Sequence, residues 1–159
     1  MVSEADIAEV SRQLGRPARG VLEISARCSC GRPLVVKTEP RLEDGTPFPT
    51  LYYLTQSALT AAVSTLEASG LMATLQARLG EDPELASSYH AAHESYLEDR
   101  SAISEVVELS GISAGGMPSR VKCLHALVAH SLAKGPGVNP IGDIAIAELG
   151  WSSEVCNCL

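Results

Sequence analysis

Apolar residues recur at three- and four-residue intervals through most of the chain, and one short stretch near the N-terminus has a strand-like pattern instead. Residues 4–14 place Ile7, Val10 and Leu14 on one stripe, with Ser3 as N-cap and Gly15 as a stop, which predicts a helix. Residues 20–28 and 34–38 are β-rich and flank a turn at 29–33, which predicts one hairpin. From residue 57 the helical period returns. Leu59, Ala62, Val63 and Leu66 form a stripe that Gly70 breaks, and Leu71, Leu75 and Leu79 form the next. Asp82-Pro83-Glu84 is a helix start, with Asp as cap, Pro in the first turn and an acid near the positive dipole end. Its stripe of Leu85, Tyr89, Ala92, Tyr96, Ile103 and Val107 carries the prediction to about residue 109. A loop over 111–116 precedes Pro118, which is expected to open a helix running to about Lys134. Gly135-Pro136-Gly137 ends it, and Asn139-Pro140 caps a last helix to Leu149. The sum is an α+β fold, predominantly helical, with one small β-hairpin packed on five or six helices. It is expected as a single domain over residues 1–150, followed by a poorly ordered tail at 151–159.

Composition narrows the function classes. The chain has 159 residues, is 45% hydrophobic and carries a net charge of −7. That apolar share supports a core. The acidic balance argues against a general nucleic-acid binder, which needs a cationic footprint. No window approaches the roughly 18 apolar residues of a membrane span. The opening MVSEADIAEV has acids where a secretory leader needs basic residues. Five cysteines, an odd number with no leader before them, point to reduced thiols in a cytoplasm. The charge is also uneven. Residues 12–41 hold seven cations against two acids, whereas residues 81–108 hold eight acids and one arginine.

The cationic region raises the prospect of an anion site. SAGGMPSRVK, at 113–122, puts Gly115 and Gly116 before an expected helix start, with Ser119, Arg120 and Lys122 beside it. Unpaired N–H groups and the dipole at a helix start favour phosphate or carboxylate. Arg19 and Arg41 are candidates to complete a clamp, with Tyr52 and His125 as further contacts and Asn139 and Asp143 orienting the cluster. His125 is a weak candidate proton donor. The expected ligand is small, acidic and phosphate-bearing. The rival expectation is a non-catalytic interaction domain presenting its acidic 81–108 segment to a protein partner.

The cysteines raise a third prospect, structural zinc or an iron–sulfur cluster. Cys28 and Cys30 flank a turn in a C-x-C spacing that recurs at Cys156 and Cys158. A four-ligand site would join Cys28, Cys30 and Cys123 or His130 with a tail cysteine; the alternative is that Cys123 is a buried small hydrophobe and the tail pair is frayed. On one helix, however, Cys123 and His125 point about 200° apart, and His130 leaves on a different face from His125. His90 and His93 are three apart on the acidic helix, and His93 falls on its apolar stripe as a packed residue. A Cys28 pairing with His125 or His130 finds nothing local to activate it. Walker A, H-E-x-x-H and G-x-G-x-x-G motifs are absent.

Three stretches carry a resemblance: RPARGVLEISARCSCGRPLVVKTEPRLEDGTPFPTLYYLT (16–55), AHESYLEDR (92–100) and SAGGMPSRVKCLHALVAHSLAKGPGVNPIGD (113–143). Together they resemble domain-of-unknown-function family 501, found mainly in actinobacteria. The resemblance implies a bacterial cytoplasmic protein. It also implies a setting near cell division or phosphate metabolism, because family members are often encoded beside a septum-formation initiator protein and an exopolyphosphatase-like enzyme. It assigns no chemistry.

Overall fold

The computed structural model describes residues 2–158. The elements are α1 (Glu4–Leu14), β1 (Val21–Arg27), β2 (Pro33–Thr38), β3 (Tyr52–Leu54), α2 (Ser57–Ala68), α3 (Leu71–Glu81), α4 (Pro83–Ser101), a 3-10 turn at Val107–Leu109, α5 (Leu124–Lys134) and α6 (Pro140–Leu149). The fold is α+β and mostly helical, and the expected hairpin gains a third strand. The sheet is antiparallel in the order β1-β2-β3. β3 pairs Leu54 with Val35, Tyr53 with Val36 and Tyr52 with Lys37. The proline-rich 39–50 loop thus returns the chain to the sheet, and the aromatic pair Tyr52-Tyr53 lies within a strand.

Successive residues of β2 face opposite sides, yet Leu34, Val35 and Val36 are all buried, so the strand is covered on both faces. Val36 lines a cavity with Val10 and Leu14 of α1 on one side, and Val35 joins the main core on the other. α1 starts with a reciprocal cap: the Ser3 hydroxyl accepts from Asp6 N–H at 3.1 Å, and the Asp6 carboxylate accepts from Ser3 N–H at 3.3 Å. α5 is the central helix. Leu124 and every residue from Ala126 to Ser131 are buried, leaving only His125 of that run at partial exposure. A helix apolar on nearly all sides must be enclosed by other elements. The sheet, α2 and α6 enclose this one.

Two helix boundaries differ from expectation. α4 stops at Ser101, not near 109, and Val107, placed on its apolar stripe, is 81% exposed. The reason is Arg100. Its buried guanidinium donates to the carbonyls of Pro49 (3.2 Å), Leu109 (2.8 Å) and Ile112, so the chain must fold back rather than extend. Pro118 likewise opens no helix. Gly115 O accepts from Lys122 N–H at 2.7 Å and Gly116 O from Arg120 N–H at 2.9 Å, which keeps 115–122 a closed loop. α5 begins only at Leu124, whose N–H donates to the Glu67 carboxylate of α2 at 2.8 Å.

No single described helix is long and apolar enough to cross a membrane. α2 and α3 reach that length only together, bent by 68°. Their apolar residues Leu59, Val63, Leu75 and Leu79 are buried in the core.

Tyr96 of α4 ties the core to the sheet. Its hydroxyl oxygen accepts from the N–H groups of Leu51 (2.6 Å) and Tyr52 (3.3 Å). Burial pushes its pKa up to about 12, so it stays a neutral phenol. Tyr96→Phe would strand two buried donors and is expected to cost about 2 kcal/mol. Urea denaturation measures this, and a loss under about 0.5 kcal/mol would contradict the assigned contact.

Candidate metal centre

The tip of the hairpin is a tight turn. β1 ends at Arg27, and Cys28 N–H donates to Arg32 O at 2.9 Å while Gly31 N–H returns to Cys28 O at 2.8 Å. Gly31 sits at φ +89°, in the left-handed region that a side chain would disfavour. This geometry turns Cys28 and Cys30 to one side of the loop.

The C-terminal segment comes to meet them. Gly150 ends α6 in a left-handed conformation, and Trp151 packs at the edge of the core. The chain then runs back to the hairpin. Ser29 N–H donates to Ser153 O at 3.0 Å, and the Arg32 guanidinium donates to Cys158 O. Gln56, the N-cap of α2, donates from Nε2 to Cys158 Sγ at 3.3 Å. The segment expected to be poorly ordered lies against the hairpin turn through Ser153 and Cys158 and against the N-cap of α2 through Cys158.

Cys28, Cys30, Cys156 and Cys158 converge as a result, with all four Sγ atoms within 4.8 Å of one another. Cys28 and Cys158 are buried, while Cys30 and Cys156 face solvent. The thiols perturb one another. Burial works to raise Cys28, but the Cys30 amide and the side chains of Cys158, Cys30 and Ser29 outweigh it and hold the thiol down at about 6. Cys158 moves oppositely. Burial pushes it up to about 12, aided by the neighbouring Cys28 and Cys30 and opposed by Gln56. Four sulfurs this close stabilise one negative charge and resist more, an imbalance that a cation relieves.

The expected ligand set changes accordingly. Cys28 and Cys30 are in the cluster, and Cys123 is not. Cys123 instead groups with Glu67 and His125 at the start of α5. The tail pair completes the four. The tail supplies two ligands where one was expected, and the recurring C-x-C spacing is the signal for the pair. His130 is fully buried between tyrosines, its ring stacked on Tyr52 at 5.7 Å and edge-on to Tyr96 at 5.1 Å. Burial holds it down at about 4, so it is neutral, and its Nδ1 lies 3.1 Å from Asn139 Nδ2, which places that nitrogen as the acceptor.

The candidate anion residues are dispersed. Arg19 pairs with Asp44 at 2.6 Å, and Arg41 pairs with Glu108 at 2.8 Å. Tyr52 donates its hydroxyl to Asp99 at 2.6 Å, and Asp99 also binds Lys134 at 2.9 Å. Gly115 and Gly116 take φ of +65° and +95° to close the loop, and a Cβ on Gly116 would lie 2.6 Å from Arg120 O. Ser119, Arg120 and Lys122 are exposed on that loop, ahead of the helix start rather than on it. Asn139 is buried as the cap of α6, and Asp143 accepts from Gly137 N–H at 2.9 Å. His125 lies with Glu67 and Cys123. The arginine clamp is thus taken up by internal acids, and the loop amides of Arg120 and Lys122 by the loop's own carbonyls. His93 is packed as expected, its Nδ1 2.7 Å from the Ser113 hydroxyl.

A family model described as a protein of unknown function (DUF501) matches residues 24–147. No curated protein and no solved structure matches the chain. The matched stretch includes Cys28 and Cys30 and ends before Cys156 and Cys158.

Proposed function

The chain belongs to the DUF501 family, and we propose that it is a metal-binding member in which Cys28, Cys30, Cys156 and Cys158 hold one tetrahedral ion of the zinc class. The observation that carries this reading is the mutual approach of four sulfurs to within 4.8 Å. Zinc–thiolate bonds of about 2.3 Å in a tetrahedron put the sulfurs about 3.8 Å apart, so small rotations of the four side chains close the site. A four-iron cluster interposes iron and sulfide between its thiolates and spreads them further, so the spacing favours a single ion. Thiolates from all four corners leave no open position for substrate, which makes the role structural.

Nearby donors would steady the charge of such a site. Four thiolates and a divalent ion carry a net charge of −2. Gln56 Nε2–H already points at Cys158 Sγ, and the Arg32 cation lies against the Cys158 carbonyl. The ion would join the hairpin tip to the C-terminal segment and close a loop of nearly the whole chain, which restricts the unfolded state strongly.

Metal analysis of protein purified without air or chelator tests this. About one equivalent of zinc or iron per chain is expected, since structural thiolate sites bind tightly. Less than about 0.2 equivalents, with the four thiols titrating as free, rules it out.

A further inference from the structure

The second cluster sits at the N-terminus of α5, beside β3. Cys123 is the residue before the helix, with φ −149° and ψ 106°, so it is extended rather than helical. The expected divergence of Cys123 and His125 assumed that both were helical. The extended cap swings the thiol back instead, and Cys123 Sγ, a His125 ring nitrogen and a Glu67 oxygen lie within 4.8 Å of one another.

Both ring nitrogens of His125 face acceptors. Nδ1 lies 3.2 Å from Glu67 Oε1. Nε2 lies 3.1 Å from the Thr60 carbonyl and 3.1 Å from the Ser64 hydroxyl, which itself donates to that carbonyl. A carboxylate and a carbonyl can only accept, so the ring satisfies both by carrying two protons as an imidazolium. The side chains of His125 and Glu67 are 26% and 22% exposed, which shields the pair from screening without sealing it from solutes. The same groups act on the thiol. Burial works to raise Cys123, but His125 and the Ala126 N–H outweigh it and hold the thiol below its ordinary range. His125 is in turn pushed up to about 9, by Cys123 first and then by Glu67 and the Thr60 carbonyl against the effect of burial.

A cavity of about 290 Å³ opens on this cluster. Cys123, His125 and Thr60 line it, together with Tyr52, Tyr53 and Leu54 of β3. Its walls are mostly apolar, with the charge concentrated at the thiol end. A nucleophile, a histidine beside it and a carboxylate orienting that histidine are parts that acyl transfer requires, and here they stand at the positive end of the α5 dipole.

From this arrangement we infer that Cys123 is the nucleophile of an acyl-transfer site for esters or thioesters of small apolar acyl groups. The thiolate Sγ attacks the carbonyl carbon, and the tetrahedral oxyanion forms beside the positive end of the α5 dipole. The bond to the leaving oxygen or sulfur breaks, and that atom takes a proton from the His125 ring. This leaves an S-acyl cysteine and a neutral imidazole. Water then attacks the acyl carbon and passes a proton to the imidazole. The C–S bond breaks, releasing the carboxylic acid and restoring thiolate and imidazolium. Glu67 is a positioning residue, holding the ring through Nδ1. This site shares no residue with the four-cysteine centre, so the two readings stand or fall separately.

The test uses the protein as isolated and resolves each cysteine by peptide mass spectrometry. At pH 6.5 an ordinary thiol is only about 1% thiolate, so Cys123 is expected to react with iodoacetamide roughly tenfold faster than free N-acetylcysteine. With p-nitrophenyl acetate, a burst of about one p-nitrophenolate per chain should accompany acetylation of Cys123. His125→Asn should slow alkylation about tenfold at pH 6.5 and match the parent above pH 9, where any thiol ionises. Glu67→Ala should behave likewise, and Glu67→Gln, which keeps an acceptor for the ring, should restore most of the rate. Cys123 reacting no faster than N-acetylcysteine, or remaining unacetylated in the folded protein, overturns the proposal without recourse to any variant. Equal pH profiles for His125→Asn and the parent overturn it as well.

Discussion

Cys158→Ser is expected to lose the bound metal and to lower the melting temperature by about 10 °C. Removing one thiolate leaves three ligands, a weakened ion and a buried hydroxyl where Gln56 Nε2–H meets sulfur. Losing a tight structural ion costs about 3 kcal/mol or more, and a chain of this size shifts by roughly 2–4 °C per kcal/mol. Chelator treatment of the parent protein should reproduce the shift, and Cys156→Ser should resemble it despite the exposure of Cys156. Cys123→Ser is the control, because Cys123 belongs to the other cluster, and it should retain the full metal content. Thermal melts with metal analysis on the same samples measure both quantities. Unchanged metal content in Cys158→Ser would remove Cys158 from the site. The metal should also be lost progressively in acid, because protons compete for the thiolates.

The second large effect is expected at the crossing of α5 and α6. A Cβ on Gly142 would lie 2.2 Å from Leu127 O and 2.3 Å from Ser131 Oγ. Neither atom is free to retreat. Leu127 O is backbone of the buried central helix, and the Ser131 hydroxyl donates to Asn139 O at 3.0 Å, beside the cap of α6. Gly142→Ala must therefore push α6 outward, straining the Asn139 cap and opening the core around Ile141 and Ala145. The expected loss is about 3 kcal/mol. The sign makes the prediction sharp, because alanine stabilises an unhindered helix by up to about 1 kcal/mol over glycine. Gly80 in α3 is such a position, exposed and with nothing within 4 Å of its Cβ site. Gly80→Ala should raise stability while Gly142→Ala lowers it. Denaturant titrations of the two variants give the comparison, and two changes of the same sign would refute the close-packed crossing.

Much of the helical frame was legible in the chain because its determinants are local. Ser3, Asp82 with Pro83, and Asn139 with Pro140 each lie within a few residues of the helix they start, and α1, α4 and α6 begin where these residues predict. Period alone placed the stripes of α2 and α3. The departures have distant causes. The end of α4 depends on Arg100 reaching carbonyls at Pro49 and in the 109–112 turn. The start of α5 depends on Glu67, far away in α2. Period also misleads at Val107, which continues an apolar spacing beyond the point where the helix has ended.

The candidate site divides in the same way. Sequence by itself determined the residue types: two C-x-C pairs, an Arg-rich hairpin region, and a cysteine and a histidine two apart in an expected helix. Spacing along a chain carries no information about which distant ends meet, and that was decided by packing. The return of the C-terminal segment onto the hairpin joined Cys156 and Cys158 to Cys28 and Cys30. Internal acids took Arg19 and Arg41, and the closed 115–122 loop took the amides expected to face an anion. The extended backbone of Cys123 brought its thiol to His125, where a helical backbone would have turned it away. Caps and periods are short-range physics and survive in the sequence. Thiol clusters and ion pairs depend on where the tertiary fold brings together positions far apart in the chain, and only the folded chain reveals them.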